Sequence, residues 1–170
     1  MTAKPESPSP VKIEITLCLP RDSDTIALVR DVAMGALAKV GVQLDCVEDI
    51  RLALSEACTN VIDHSDAADE YEVHLSVEMD VCEIRVIDCG RGLDFATIAS
   101  MADDTPDRKR GRMPGPLSAR GRGLAIIEAV VDAVAFESRP EVGTMVHLVK
   151  RLELDPDGPL ARLVRRRSPS

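Results

Sequence analysis

A carboxylate and an amide four residues apart, Glu56 and Asn60, are the first side chains whose types and spacing could do chemistry. In a helix this spacing places both on one face, about one turn apart. A carboxylate can act there as a general base, and an amide oxygen is a hard ligand that suits Mg²⁺. Asp63 lies on the same side and His64 at its margin. Taken alone, such a set more often belongs to a solvated polar face.

Two glycine-rich segments supply the other candidate chemistry. An apolar strand ends in an Asp-x-Gly-x-Gly pattern, Asp88 to Gly92, whose carboxylate could accept a hydrogen bond from an amino group while the glycines admit a ligand close to the backbone. A turn after an edge strand explains this pattern equally well. Further on, Gly121 and Gly123 open an amphipathic helix, whose N-terminal N–H groups could hold a phosphate. The sequence has no Walker motif and no strand-preceded GxGxxG, so the familiar phosphate-binding loops are not supported.

The apolar periodicity places these segments in the order strand, helix, helix, strand, strand, loop, helix, strand. This order predicts an α/β (α+β) two-layer sandwich, with helices on one face of a mixed, mainly antiparallel sheet, and not a doubly wound fold. Asp22 or Ser23 is expected to cap the first helix, and Gly41 to end it. The predicted strands are 11–19, 72–78, 82–88 and 144–151. The first predicted helix ends near residue 40, and the other two cover 44–64 and 123–134.

Composition excludes several classes of function. With 170 residues and a net charge of −8, the chain is unsuited to non-specific nucleic-acid binding, and an aromatic content of 2% leaves no platform for stacking bases. The five cysteines include no CxxC pair, and no apolar run is long enough to cross a membrane. We therefore expect a cytoplasmic protein with reduced thiols, and a Cys/His metal site has no ligand spacing to support it.

The motifs, in this order, resemble those of the GHKL ATPase superfamily. The helix with Glu56 and Asn60 corresponds to the N box, the strand ending at Asp88 to the G1 box, segment 93–120 to the ATP lid, and the glycines from 121 to the G2 box. The run SEACTNVIDH from Ser55 is most similar to bacterial anti-sigma-factor serine/threonine kinases.

This resemblance covers about residues 11–151 and implies one ATP-binding kinase domain with the histidine-kinase-like ATPase fold. Residues 1–10, which contain three prolines, are expected to form a disordered leader. Residues 152–170 are expected to form a solvated basic tail.

The resemblance also implies a role for each motif residue. Glu56 would be the catalytic base that accepts the proton of a substrate serine, and Asn60 would coordinate Mg²⁺ on the phosphates of ATP. Asp88 would hold the adenine amino group, with support from Thr144 in the closing strand. The other residues expected to contact ATP are Asp63, His64, Gly90, Gly92, Leu93, Arg120, Gly121, Arg122, Gly123 and Leu124.

The implied function is that of an anti-sigma factor, a homodimer that binds a sigma factor and uses ATP and Mg²⁺ to phosphorylate a serine of an antagonist protein. Arg30 of the first helix is either a partner contact or a solvated side chain. One alternative is a binding module in which ATP only shapes the partner face. Another is the catalytic fragment of a sensor histidine kinase, disfavoured because only about ten residues precede the first strand.

Overall fold

The computed structural model describes residues 11–64, 69–88, 121–139 and 143–167. The predictions for the leader, for the lid and for Gly90, Gly92, Leu93 and Arg120 lie outside the described residues, as do the side chains of His64 and Arg122. The strands are β1 (Lys12–Pro20), β2 (Glu70–Glu78), β3 (Val81–Asp88), β4 (Ala133–Arg139) and β5 (Gly143–Arg151). The helices are α1 (Asp24–Val40), α2 (Leu44–His64), α3 (Gly121–Val130) and α4 (Pro159–Arg167).

The five strands form one sheet in the order β1-β2-β3-β5-β4, and all four neighbouring pairs are antiparallel. Alternate side chains of β2 and β3 are buried, as expected of a sheet with one face covered by helices. Helices α1, α2 and α3 contact one another or the strands beneath them. The predicted two-layer sandwich is confirmed, with an antiparallel rather than a mixed sheet in the described pairings.

Helix α1 begins and ends where the sequence indicates. The carboxylate of Asp22 accepts a hydrogen bond from the N–H of Asp24 at 2.9 Å, whereas Ser23 makes no side-chain capping bond. At the other end Gly41 has φ 90°, and its N–H donates to the carbonyl of Ala38. Only glycine adopts this left-handed conformation readily, which is why the helix stops there.

Helix α2 lies at the centre of the core and carries the predicted polar pair. Its apolar stripe is fully buried against α1, α3 and the central strands, as the helical spacing predicts. The stripe comprises Ile50, Leu54, Ala57, Cys58 and Val61, each at most 1% exposed. Because these residues fix the rotation of α2, its polar side is directed toward the start of α3.

Two predictions about the C-terminal third were wrong. The third helix was predicted to run to 134, but α3 ends at Val130 and a strand that was not predicted, β4, begins at Ala133. Asp132 stabilises this break, because its N–H donates to Val149 at 2.9 Å and its carboxylate accepts the N–H of Arg151. Pairing with β5 then determines the conformation of residues 133–139.

The basic tail was expected to be solvated, but residues 159–167 form helix α4. Leu160 is buried, and Val164 packs against the same core. Gly41 and Gly158 make the close approach possible, since a Cβ added to Gly41 would lie 2.8 Å from the Cα of Gly158. The helix forms because its apolar side is buried against the core. The many arginines in its sequence favour the prediction of a solvated tail instead.

Other expectations concern cysteines, metals and membranes. Four cysteines lie within the described ranges, and all are free thiols, with Cys46, Cys58 and Cys82 buried. Among the side chains that the structure describes, no group of His, Cys, Asp and Glu has an arrangement suited to a metal ion. None of the helices in those ranges is long and apolar enough to span a membrane.

Candidate nucleotide site

Asp88, the last residue of β3, is a buried carboxylate without a hydrogen-bond partner among the described residues. It is 1% exposed, and neither of its oxygens accepts a hydrogen bond from any residue that the structure describes. Burial raises the pKa of Asp88, and the charge of Arg21 opposes that rise. Because buried polar groups are nearly always paired, two orphaned acceptor oxygens indicate a site for a donor from outside the chain, such as an amino group.

The neighbours of Asp88 come from the adjacent strands. Tyr71 is its register partner on β2, and the Tyr71 hydroxyl lies 2.7 Å from Oγ1 of Thr25 in α1. On the other side Ile87 pairs with Met145, so Thr144 follows beside Asp88 at the start of β5 and is likewise buried. The structure thus brings Asp88 and Thr144 together, as the sequence predicts.

The second group forms where α2 meets the first turn of α3. A Cβ added to Gly123 would lie 2.7 Å from Oε2 of Glu56 and 3.8 Å from both polar side-chain atoms of Asn60. Nδ2 of Asn60 is buried and makes no hydrogen bond within the described part of the chain. Both side chains are half-buried and face another helix, so the alternative of a solvated face is wrong for this pair.

The remaining predicted contacts differ in where they lie. Asp63 is exposed on the last turn of α2, and Gly121 and Arg122 are the first two residues of α3. Leu124 was predicted to contact ATP, but its side chain is buried in the hydrophobic core. Its contact with ATP stays a prediction.

One residue near the site was missed. Arg21, just after β1, donates from Nε and a terminal NH₂ to the carbonyl of Ile62 in α2, at 2.7 and 2.5 Å. Its positive charge also lowers the pKa of the Asp88 carboxyl. No local pattern points to this residue, because its partners come from α2 and β3 and are adjacent only in the folded chain.

The donor and acceptor set suits ATP and Mg²⁺, the ligands that the sequence predicts. Asp88 can accept the adenine amino group, the amide oxygen of Asn60 can ligate a divalent cation, and the first turn of α3 offers N–H groups to phosphate. Glu56 lies close enough to the same turn to act on a group bound there.

Comparisons with known proteins agree with this chemistry. A family model described as the histidine kinase-like ATPase domain matches residues 19–150. The serine-protein kinase RsbW of Halalkalibacterium halodurans is 30% identical over 147 residues, which cover 86% of each chain. The Bacillus subtilis protein of the same name is 28% identical over 141 residues, covering 81% of this chain and 85% of that protein.

A solved structure is also similar. The RsbU and RsbW domains of Rv1364c from Mycobacterium tuberculosis align with a TM-score of 0.59 at 22% identity. The match covers 82% of this chain and 32% of that one. At this identity the likeness concerns the fold alone.

Proposed function

Because the chain belongs to the histidine kinase-like ATPase family and, within it, to the RsbW serine-protein kinases, we propose that it controls a sigma factor through ATP-dependent protein phosphorylation. It is an ATP-dependent serine kinase and an anti-sigma factor. The observation that carries the assignment of the site is Asp88, whose two buried oxygens have no partner among the described residues. We propose that this carboxylate accepts a hydrogen bond from the amino group of adenine.

We propose that the other site residues act on the phosphate end of the nucleotide. The amide oxygen of Asn60 would hold Mg²⁺, which when bound neutralises charge on the phosphate oxygens. The N–H groups of the first turn of α3 would bind phosphate. Glu56 would accept the proton of the attacking serine hydroxyl and orient that hydroxyl.

Gly123 provides a test of the packing around Glu56. A methyl group at this position requires the Glu56 carboxylate, the far end of a flexible side chain, to move. We expect Gly123→Ala to lower phosphate transfer about tenfold or more by displacing the base, since small misplacements of catalytic groups are costly. The fold should remain intact, as measured by urea unfolding.

Gly35→Ala is the matched control for that variant. Gly35 lies within α1, and nothing lies within 4 Å of an added Cβ. This change should stabilise the helix by roughly 0.5–1 kcal/mol and leave phosphate transfer unchanged. Normal transfer by Gly123→Ala would contradict the placement of Glu56 against α3.

The partners that we propose are a sigma factor and a serine-containing antagonist protein, bound in the cytoplasm by a homodimer. Arg30 of α1 is half-exposed and available for such a contact. Arg30→Glu should weaken capture of the sigma factor about tenfold, because reversing an interface charge replaces attraction by repulsion. ATP affinity should not change.

The measurement is a pull-down with and without ATP, with identification of the captured proteins and quantitative binding of each. Lys39→Glu, an exposed site in the last turn of the same helix, makes the same charge change as a control. Equal losses in both variants would remove Arg30 from the proposed contact. Loss of ATP binding together with partner binding would indicate misfolding.

A further inference from the structure

We infer that Arg21 is a positioning residue of the nucleotide site, which fixes the last turn of α2 to the end of β1 and keeps Asp88 ready to accept the adenine amino group. This inference rests on the proposed function of Asp88. It adds a residue that none of the predicted motifs contains. Arg21 acts on the nucleotide through α2 and Asp88 and does not touch it.

The contacts of Arg21 span three elements. Its backbone N–H donates to the carbonyl of Asp69 just before β2, at 2.9 Å. Its guanidinium donates twice to the carbonyl of Ile62, at 2.7 and 2.5 Å. One residue therefore connects the β1–β2 edge of the sheet to α2, through its backbone N–H and its guanidinium.

The carbonyl of Ile62 lies in the last turn of α2. The helix ends at His64, so its last four carbonyls have no helical N–H partner among the described residues. A guanidinium at this end satisfies such a carbonyl and interacts favourably with the negative end of the helix dipole. The turn that it holds follows Asn60 directly, so the contact also fixes the direction of the amide that is proposed to ligate Mg²⁺.

The second effect of Arg21 is electrostatic. Burial raises the pKa of the Asp88 carboxyl, and the positive charge of Arg21 lowers it. The buried titratable groups beside Asp88 include Tyr71, its register partner on β2, and Cys58 of α2, which acts on Tyr71; burial raises the pKa of both. These two groups stay neutral near physiological pH, so Arg21 is the neighbour whose charge favours the ionised form of Asp88 within the described residues.

The ionisation of Asp88 makes ATP affinity depend on pH. An ionised carboxylate accepts a hydrogen bond from an amino group more strongly than a protonated one. ATP affinity should therefore fall as pH drops through the pKa of Asp88. Removing the charge of Arg21 raises that pKa, so the fall should begin at a higher pH.

The experiment measures ATP affinity from about pH 4, near the ordinary pKa of Asp, to about pH 8 for Arg21→Gln and Arg21→Lys. Arg21→Gln should lose at least about fivefold in affinity near neutral pH and shift the acid midpoint upward. Arg21→Lys keeps the charge but replaces a two-donor contact by a point charge, so it should keep the midpoint and lose about threefold at every pH. Arg151→Gln, which removes an exposed arginine, should match the unmodified protein.

The electrostatic role of Arg21 and its two-donor contact are contradicted by different results. An unchanged midpoint in a folded Arg21→Gln variant would overturn the electrostatic role, and full affinity in Arg21→Lys would overturn the two-donor contact. If Asp88→Asn leaves ATP affinity unchanged, the proposed function of Asp88 fails instead. NMR titration of the Asp88 carboxyl needs no nucleotide: a raised pKa in Arg21→Gln supports the inference, and an unchanged pKa overturns it.

Discussion

Replacing Glu56 by Gln is expected to slow phosphate transfer to a serine by roughly 10²–10⁴-fold, the range for loss of a general base. The amide keeps the shape of the side chain and can still donate and accept hydrogen bonds, but it cannot accept the serine proton. Glu56 faces the first turn of α3, one helical turn before Asn60. ATP affinity should stay within about twofold of that of the unmodified protein, because the base acts on the protein substrate.

The measurement is a single-turnover transfer rate with saturating ATP. Glu48→Gln is the matched control, since Glu48 is an exposed carboxylate on the same helix and pairs only with Arg51 among the residues described. It should transfer phosphate at the normal rate. A normal rate for Glu56→Gln would show that another group removes the proton, even if the protein is a kinase.

The second large effect is expected for Asp88→Asn, which should weaken ATP binding about tenfold or more. A hydrogen bond to a charged group contributes roughly 1.5–3 kcal/mol, and the amide presents a neutral acceptor in place of the carboxylate. Calorimetric titration of ATP measures the change, with Asp31→Asn on the exposed side of α1 as a control. Equal affinity in a folded Asp88→Asn variant would remove Asp88 from the adenine site.

The same variant should not lose stability, which separates a binding residue from a structural one. Burial raises the pKa of Asp88, so the folded state binds its proton more tightly than the unfolded state does. The ionised side chain consequently lowers the free energy of unfolding as pH rises from its ordinary pKa through the raised one. Asp88→Asn removes this penalty, and its stability relative to the unmodified protein should increase over that pH range.

Much of the site was predictable because each motif is local. Helix α2 covers the predicted range of residues 44–64, since its apolar positions recur at helical spacing and leave Glu56 and Asn60 together on the other side. Asp88 could be placed at the end of a strand by the apolar run before it. The turn between β2 and β3 also lies between the two predicted strands, 72–78 and 82–88, at Met79, which has φ 56°.

The features that the sequence did not indicate depend on contacts between distant residues. Residues 131–134 were predicted to continue the third helix, but the helix ends at Val130 and pairing with β5 makes 133–139 a strand. Helix α4 forms because Leu160 finds the core next to α1. Leu124 follows the predicted glycine motif in the sequence, but its side chain lies in the hydrophobic core. The packing of α3 determines this burial, and the local sequence does not show it.

Transfer of phosphate from ATP to a serine of a partner protein is measured with radiolabelled ATP. The unmodified protein is incubated with γ-labelled ATP, Mg²⁺ and the antagonist protein captured from its own cell. We predict label on a serine of the antagonist, and almost none with Glu56→Gln. ATP and sigma-factor binding by the unmodified protein without any labelled antagonist would contradict the kinase account and identify a nucleotide-dependent binding module.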